Sequence, residues 1–329
     1  MSRTVSVVVP VYNNQKTLEE TYRQIVAVHE GSFGDLGLEI LFVNDGSTDL
    51  SWTELLRLKD LHGDKITLLN LSRNFGQHGA LLAGFNMMKG DAVVCLSADL
   101  QDPIPLIGRM VELWRAGTEV VICYREGRTD GLFSRISSGL AYSIARASYP
   151  GLPKGGFDYW LMSGRVSRLF CSFKGRHNFL QGNLLAVGFS RAFIPYTRAR
   201  RAVGKSGYSL WKKMTIVVDF AVTASYVPLR FLAFLGAVIA FAGAIYSLLI
   251  IYAWYTRQTP VAGWAPLMIV QLVMGGMIML ILGIIGEYIW RVYDNLKDFP
   301  LFIIDEKLAS EQDEDADKSV LPSLGAKLR

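Results

Sequence analysis

The chain has 329 residues, of which 51% are apolar and 19% are charged, whereas soluble domains carry about 25% charged residues. The formal net charge is +5, from 34 Lys and Arg against 29 Asp and Glu. Between Phe231 and Ile285 the only charged side chain is Arg257, while the first 230 residues carry charges at ordinary density. This distribution excludes a wholly soluble, a disordered and a collagen-like protein. Two apolar blocks are also too few to line a transport pathway within one chain.

Five short runs rich in Val, Ile and Leu alternate with polar, helix-compatible stretches in the first part of the chain. They cover residues 5–9, 40–43, 66–69, 92–96 and 120–124. Runs that are apolar on both faces and alternate with helices predict a parallel sheet covered by helices, and therefore an α/β domain. Ligands bind such sheets at the carboxyl ends of the strands, so the residues that follow each run are the candidates for function.

The C-terminal part of the chain has the pattern of a membrane anchor. Residues 231–256 and 264–290 are long and apolar enough to predict two transmembrane helices, since about 20 apolar residues cross a bilayer core. Residues 211–230 have apolar positions at near-helical spacing, which predicts an amphipathic helix in the membrane interface. The alternative is a helix packed on the soluble domain. After residue 291 we expect a cytoplasmic tail, solvated after Ile304 and acidic and disordered at its end.

The charges and the N-terminus place the first domain on the cytoplasmic side. Basic residues flank the apolar pair and its connecting loop holds one base, so the positive-inside rule puts both termini in the cytoplasm of an inner-membrane protein. The N-terminal apolar run is too short for a signal peptide. Basic residues crowd the approach to the first apolar block and predict contact with anionic lipid rather than nucleic acid, because no nucleic-acid-binding motif accompanies them: Arg198, Arg200, Arg201, Lys205, Lys212 and Lys213.

Two acidic side chains follow predicted strands. Asp45 lies on a Gly-containing turn after the second strand, where it could accept hydrogen bonds from a base or a ribose, although an Asx turn or a helix N-cap explains it equally well. Asp99 follows the fourth strand, where one carboxylate can hold Mg²⁺ together with diphosphate oxygens. Asp102 precedes Pro103 and is expected to cap a helix.

Two further segments suggest phosphate binding. Arg125 and Arg128 follow the fifth strand, and their guanidinium groups match phosphate oxygens. Residues 203–208 resemble part of a phosphate loop, but the P-loop pattern requires glycine at the position of Ala199 and a preceding buried strand. A P-loop NTPase is therefore excluded.

Taken together, these motifs resemble the family 2 glycosyltransferases of the polyprenyl-phosphate type. This group includes dolichol-phosphate mannose synthases and the undecaprenyl-phosphate glucosyl and aminoarabinose transferases. The resemblance extends from about residue 4 to 304 and rests on six motifs in order and on a closing membrane helix (residues 282–293): Val9-Pro10-Val11-Tyr12-Asn13, Asn44-Asp45-Gly46-Ser47, Ser72-Arg73-Asn74-Phe75-Gly76, Ala98-Asp99-Leu100-Gln101-Asp102-Pro103, Arg125-Glu126-Gly127-Arg128 and Gly204-Lys205-Ser206-Gly207-Tyr208-Ser209.

The resemblance implies a GT-A (Rossmann-like) catalytic domain over residues 1–210 and a role for each matching residue. Asp99 would coordinate Mg²⁺ or Mn²⁺, and Asp158 matches the acid that faces the acceptor; these two are the expected catalytic residues. A second group would bind the nucleotide sugar: Pro10, Tyr12, Asn13, Asp45, Arg73, Asn74 and Ala98. A third would bind phosphates, especially of the acceptor: Arg125, Arg128, Arg201, Lys205 and Ser206.

The implied reaction is an inverting transfer of a sugar, UDP-linked by expectation, to the phosphate of a polyprenyl carrier, expected to be undecaprenyl phosphate. It would serve the cell envelope by making a glycan or by modifying lipopolysaccharide. Small residues at Gly275, Gly276, Gly283 and Gly286 would allow close helix packing, and a homo-oligomer is expected, a tetramer in some relatives.

The sequence also departs from the family pattern. Relatives usually have Asp-Ala-Asp where this chain has Ser97-Ala98-Asp99, and the aminoarabinose enzyme has lysine at the position of Gly207 and glutamate at that of Lys205. The loss of one carboxylate leaves open a catalytically silent homologue that binds nucleotide sugar. A processive polysaccharide synthase is a further alternative, but the Gln-x-x-Arg-Trp motif is missing at residues 181–185.

Overall fold

The computed structural model describes residues 3–126, 146, 149, 151–153, 156–173, 180–197, 265–296 and 299–309, together with scattered positions between 234 and 256. The chain divides into two compact units. The first contains the N-terminal residues and the segment that begins at Phe299, and the second contains a long C-terminal helix.

A single mixed sheet forms the centre of the first unit. Within the described residues it has eight strands in the order β7-β5-β6-β4-β1-β2-β3-β8. The strands are β1 (Thr4–Val11), β2 (Gly37–Asn44), β3 (Ile66–Leu71), β4 (Ala92–Cys95), β5 (Val120–Arg125), β6 (Tyr159–Ser163), β7 (Arg191–Tyr196) and β8 (Ile304–Leu308). The five strands predicted from sequence are all present, and the α/β fold class is confirmed.

Helices cover both faces of this sheet. They are α1 (Leu18–Ser32), α2 (Ser51–His62), α3 (Gly76–Met87), α4 (Leu106–Arg115), α5 (Gly164–Cys171) and α6 (Leu180–Ala186). Apolar side chains of α1, α2 and α4 pack with alternate residues of the central strands into one core, as strand periodicity requires. Helix α3 packs against β1 and β2, and α5 packs against β4, β6 and α3.

The five predicted strands run parallel to one another, but the sheet as a whole is mixed because of strands that were not predicted. Strands β1 to β4 are parallel where they pair, but β6 is antiparallel to both β4 and β5, and β8 is antiparallel to β3. Because β6 lies between β4 and β5 and opposes both, β5 runs in the same direction as β4. The carboxyl ends of β1 to β5 and of β7 therefore share one edge with the amino end of β6.

The segment after the long helix returns to the sheet. Strand β8 pairs with β3 over Leu68↔Leu308 to Leu71↔Ile304, and a bulge falls between Asn70 and Leu71. The prediction of a solvated, disordered end after Ile304 is therefore wrong for residues 305–308, which belong to an ordered strand. Leu308 packs against the core, which explains why an acidic sequence (Asp305, Glu306) nevertheless forms an edge strand. The acidic residues from 311 onward lie outside the described part of the chain.

The second unit contains α7 (Ala265–Leu296), a helix of 32 residues. Within it, Val273–Asp294 is long and apolar enough to cross a membrane, the one such segment among the described residues. Large side chains such as Met279 (70% exposed) and Ile289 (63%) lie on its surface. The predicted span 264–290 thus coincides with a helix that continues to Leu296. Between 234 and 255 the described positions are helical, and the predicted interfacial helix 211–230 lies outside the described residues.

Candidate active site

Asp45 joins two loops at the carboxyl edge of the sheet. The residue follows β2 and is only 3% exposed, and its Oδ1 accepts a hydrogen bond of 2.7 Å from the backbone N–H of Phe75, in the loop after β3. Burial raises the pKa of Asp45, while the backbone N–H groups of Phe75 and Gly76 oppose the rise. The carboxylate is therefore a fixed acceptor that joins the end of β2 to the loop after β3, and its partners are the backbone N–H groups of Phe75 and Gly76 at the start of α3.

Gly46 allows these two loops to approach each other. Its φ is +64°, and an added Cβ would lie 2.6 Å from the backbone nitrogen of Asn74 and 2.7 Å from the carbonyl carbon of Arg73. Only a residue without a side chain fits this contact and also adopts the left-handed region without strain. The Asp-Gly pair in the sequence is thus required by the packing of the two loops.

Asn13 holds the loop after β2 from the other side. Its Oδ1 accepts hydrogen bonds from the backbone N–H groups of Thr48 (2.8 Å) and Asp49 (3.3 Å), and its own N–H donates to Ser47 Oγ (3.1 Å). The residue adopts φ +55°, a conformation that asparagine tolerates better than most residues. The structure therefore assigns the Asn13 side chain to loop architecture, a contact that the sequence did not predict.

The other residues predicted to bind nucleotide lie at the same edge. Pro10 is half-buried in β1 opposite Val43, and Tyr12, directly after β1, is 48% exposed. Arg73 and Asn74 are exposed in the loop after β3, where the Arg73 guanidinium lies 4.3 Å from the centre of the Phe75 ring. These residues lie at the same edge of the sheet as Asp45.

The segment after β4 carries Asp99. Ala98 is buried, and its carbonyl oxygen accepts a hydrogen bond of 2.6 Å from Thr17 Oγ1 of the loop before α1. Asp99 is partly exposed, and its Oδ1 accepts the backbone N–H of Gln101 at 3.2 Å. The Thr17 contact anchors the backbone that presents Asp99 at the edge of the sheet.

Asp102 does not cap a helix, so this prediction is wrong. The following helix α4 begins at Leu106 with Pro105 at its N-cap, and Asp102 is 2% exposed. Its Oδ1 instead accepts a hydrogen bond of 2.6 Å from the hydroxyl of Tyr196 at the end of β7. Burial raises the pKa of Tyr196 well above its ordinary value, and the negative charge of Asp102 raises it further. The phenol therefore stays protonated and donates the hydrogen bond.

Asp158 is held on both carboxylate oxygens. Arg125 Nη2 lies 2.6 Å from Oδ2, and Gln181 Nε2 donates to Oδ1 at 3.0 Å and to the Phe157 carbonyl at 2.5 Å. The Arg125 side chain is 17% exposed and that of Asp158 is 41% exposed. The carboxylate is therefore oriented by two donors while one of its faces remains open to solvent.

Arg125 is part of a buried charged network. Its burial alone would lower its pKa, but the charge of Asp158 and the nearby Tyr196 and Asp102 outweigh burial and raise it. The guanidinium is consequently a permanent cation, paired with Asp158. The prediction that Arg125 binds phosphate stays a prediction; the contact that the structure shows is with the acid expected to face the acceptor.

His78 lies in the first turn of α3 and was not predicted to be functional. Burial lowers its pKa to about 4, so the imidazole is neutral at pH 7, and its Nε2 is buried. The cysteines are free: Cys95 and Cys123 are buried and Cys171 is half-buried. Burial raises the pKa of Cys123 to about 12 and that of Cys171 to about 11, so these thiols are poor nucleophiles.

Several predicted residues lie outside the described part of the chain. They are the expected phosphate-binding residues Arg128, Arg201, Lys205 and Ser206. Among the described residues, no group of three or more His, Cys, Asp or Glu side chains forms a metal site. Gln181, Tyr196 and Asp102 were missed as neighbours of the site because they meet their partners across 23 to 94 residues of sequence. No local motif reports such contacts.

The fold and the acidic residues at one edge of the sheet define a GT-A-like α/β domain, and comparison with known proteins agrees. Residues 6–177 match the family model of glycosyl transferase family 2. The fold resembles that of the crystal structure of glucosyl-3-phosphoglycerate synthase from Mycobacterium tuberculosis in complex with Mn²⁺ and UDP-glucose. The TM-score is 0.50 at 19% identity, covering 68% of this chain and 79% of the other.

Two relatives match almost the whole chain. The undecaprenyl-phosphate 4-deoxy-4-formamido-L-arabinose transferase of Edwardsiella ictaluri is 34% identical and covers 95% of this chain and 97% of its own length. The SfII prophage-derived bactoprenol glucosyl transferase of Shigella flexneri is 32% identical, with 91% and 97% covered. The chain therefore belongs to glycosyl transferase family 2 and is a glycosyltransferase, as the motifs predicted.

Proposed function

We propose that the protein transfers one sugar from a UDP-linked donor to the phosphate of a polyprenyl carrier, undecaprenyl phosphate, at the cytoplasmic face of the inner membrane. The observation that carries this proposal is the placement of Asp45, Asp99 and the Arg125–Asp158 pair along one edge of the sheet. The names of the two near full-length relatives support the carrier, since both act on bactoprenol or undecaprenyl phosphate.

The donor would bind at the β1, β2 and β3 ends. Asp45, fixed by Phe75, would accept hydrogen bonds from the nucleotide, and the exposed Tyr12, Arg73 and Asn74 would enclose it. A buried acceptor held rigidly by a backbone N–H discriminates well, because a ligand without the matching donor leaves the carboxylate unpaired. The UDP assignment is supported by the structural neighbour that holds UDP-glucose.

A divalent cation fits the residues present. Asp99 is a partly exposed carboxylate at the edge of the sheet, and Mg²⁺ and Mn²⁺ need few protein ligands when a diphosphate supplies the rest. Ser97 leaves this segment with one carboxylate fewer than the usual family pattern. When bound, the cation would stabilise the negative charge of the departing diphosphate.

The acceptor would lie beside Asp158. A phosphate monoester has a second pKa of about 6, so its oxygen is largely ionised at pH 7 and needs little help from a base. Asp158, oriented by Gln181 and Arg125, would position the acceptor or take its last proton, and the Arg125 cation would offset the repulsion between carboxylate and phosphate. The oxygen would displace the diphosphate from the anomeric carbon in one step, which inverts that centre.

A lipid-linked acceptor lies at the membrane surface, and the apolar helix Val273–Asp294 supports an anchor that would hold the enzyme there. The two-span topology with both termini in the cytoplasm, the interfacial helix and a homo-oligomer such as a tetramer are part of the same proposal. So is the delivery of the product to cell-envelope glycans or lipopolysaccharide.

The proposal is tested by donor consumption in detergent. Purified protein is incubated with undecaprenyl phosphate, Mg²⁺ or Mn²⁺ and a panel of nucleotide sugars, and release of nucleoside diphosphate is followed. One donor should be consumed only when the lipid is present, and Asp99→Ala and Asp158→Asn should each reduce the rate at least about a hundredfold. Asp60→Asn, an exposed carboxylate on α2, is the control. Nucleotide binding without release would favour a silent homologue.

A further inference from the structure

The segment that follows the long helix contacts the loop on which the proposed donor site depends. After α7 ends at Leu296, the chain reaches Phe299 within three residues and then runs along the outer edge of β3 as β8. The backbone N–H of Ser72, the first residue of the β3–α3 loop, donates to the carbonyl of Ile303 at 3.0 Å. We call residues 299–308, which comprise β8 and the five residues before it, the return strand.

A first series of contacts leads from the return strand to Asp45. Ser72 is held by Ile303, and three residues later Phe75 donates its N–H to Asp45 Oδ1. Between Ser72 and Phe75, the backbone of Asn74 lies so close to Gly46 that Gly46 could not carry a side chain. The loop is therefore held at Ser72 by the return strand and at Phe75 by Asp45, so its position depends on both hydrogen bonds.

A second series reaches the same site through β3. Asn70, which pairs with Glu306 of the return strand, accepts a hydrogen bond of 2.8 Å on its Oδ1 from Asn44 Nδ2. Asn44 Oδ1 in turn accepts the backbone N–H of Ser47 at 3.3 Å. The bulge in the pairing falls at Asn70 and Leu71, directly before the loop.

The start of α3 is packed against the same segment. An added Cβ on Gly79 would lie 2.9 Å from the carbonyl oxygen of Leu301, so the first turn of α3 approaches the return strand at backbone distance. The return strand therefore contacts the end of β3, the loop and the beginning of α3.

We propose that the return strand is a positioning element of the donor site: it orders residues 72–76 so that Asp45 is presented to the nucleotide. This inference rests on the proposed donor site. None of its residues need touch the nucleotide, so its effect should appear in donor affinity and not in the chemical step. By reciprocity, a nucleotide that binds the ordered loop must also stabilise the return strand.

The wild-type chain tests the reciprocal effect without mutation. Amide hydrogen exchange of the full-length protein in detergent is measured with and without saturating UDP and Mn²⁺. The proposal predicts slower exchange both in residues 70–79 and in residues 300–308 when UDP is bound. Protection confined to residues 70–79 would overturn it.

A variant tests the forward effect. Ile304→Gly with Leu308→Gly removes two partly buried apolar side chains from the return strand. Met110→Ala, in the buried face of α4, which packs against β5 and β6 away from β8, serves as a control for general destabilisation. At equal loss of thermal stability, the glycine variant should bind UDP about five- to tenfold more weakly, the effect of about one lost hydrogen bond, and Met110→Ala within twofold of wild type. Equal affinities in the two variants would make the return strand merely structural.

The two proposals fail differently. If the wild-type chain bound neither UDP nor GDP in the presence of Mn²⁺, the donor site itself would be refuted, and this inference with it. If UDP bound and sugar were transferred while the return strand did not respond, the function would stand and this inference alone would fall.

Discussion

The ion pair between Arg125 and Asp158 allows a quantitative test of the acceptor end of the site. Its atoms are 2.6 Å apart, and the two side chains are 17% and 41% exposed. Exposed ion pairs contribute about 0.2–1 kcal/mol, whereas breaking a buried pair costs about 3–5 kcal/mol. Because Asp158 is more than one third exposed, solvent screening reduces the buried value, and we expect a coupling free energy of about 1–2 kcal/mol.

A double-mutant cycle measures this coupling. Arg125→Met keeps most of the apolar stem, Asp158→Asn keeps the shape, and the double variant completes the cycle; each free energy of unfolding is obtained from urea denaturation in detergent, followed by tryptophan fluorescence. The pair Arg109–Glu112 on α4 is the control, because its side chains are 62% and 61% exposed and should couple by less than about 0.5 kcal/mol. A coupling at Arg125–Asp158 within about 0.3 kcal/mol of zero would refute the reasoning.

The same variant separates two roles for Arg125. If Arg125 orients Asp158, Arg125→Met should lower kcat, because the carboxylate loses one of its two donors. A residue that only bound the acceptor phosphate would raise the KM for the lipid and leave kcat unchanged. A pure KM effect would therefore restore the phosphate-binding role predicted from the sequence.

Four further predictions concern single residues. Burial lowers the pKa of His78 from the ordinary 6.5 to about 4, so the unfolded chain binds a proton that the folded protein resists, and stability falls as pH drops from 6.5 toward 4. Wild type should lose about 2 kcal/mol of unfolding free energy through His78 between pH 7 and 4.5. The urea midpoint of His78→Gln should depend less on pH than that of wild type. Gly46→Ala should destabilise by at least about 2 kcal/mol and weaken UDP binding. Gly63→Ala, with φ +56° and ψ −120° but open space around it, should cost about 1–3 kcal/mol in the same urea assay and leave UDP binding unchanged. Gln181→Ala should reduce kcat about tenfold with donor KM unchanged in steady-state kinetics, and an unchanged kcat would remove it from the site. Ser97→Asp should lower the Mn²⁺ concentration needed for half-maximal activity, and an unaltered metal titration would show that Ser97 does not limit metal binding.

Much of the α/β framework could be predicted from the sequence. The five apolar runs are all strands because burial on both faces leaves a local signal that needs no knowledge of partners. Strands β6, β7 and β8 were not predicted. Their neighbours in the sheet lie far away in sequence, and an acidic edge strand such as Ile304–Leu308 has no apolar run to mark it.

In the candidate site, too, some residues could be predicted from the sequence and others could not. Asp45 and Asp99 could be found because ligands bind α/β sheets at the carboxyl ends of the strands, and the resemblance to a family added Asp158 and named the roles. Their partners could not be found. The Asp45–Phe75 bond, the Asn13 contacts with Thr48 and the Tyr196–Asp102 bond join residues 30 to 94 positions apart, and only the strand order brings them together.

The most direct test of the central claim is the mass of the lipid after reaction. Undecaprenyl phosphate is incubated with the wild-type protein, Mn²⁺ and the donor consumed in the release assay, and the extracted lipid is analysed by mass spectrometry. The account predicts one new species, heavier by a single glycosyl residue, that is absent with Asp158→Asn and present with Asp60→Asn. Unchanged lipid despite donor consumption, or a ladder of several added sugars, would contradict it.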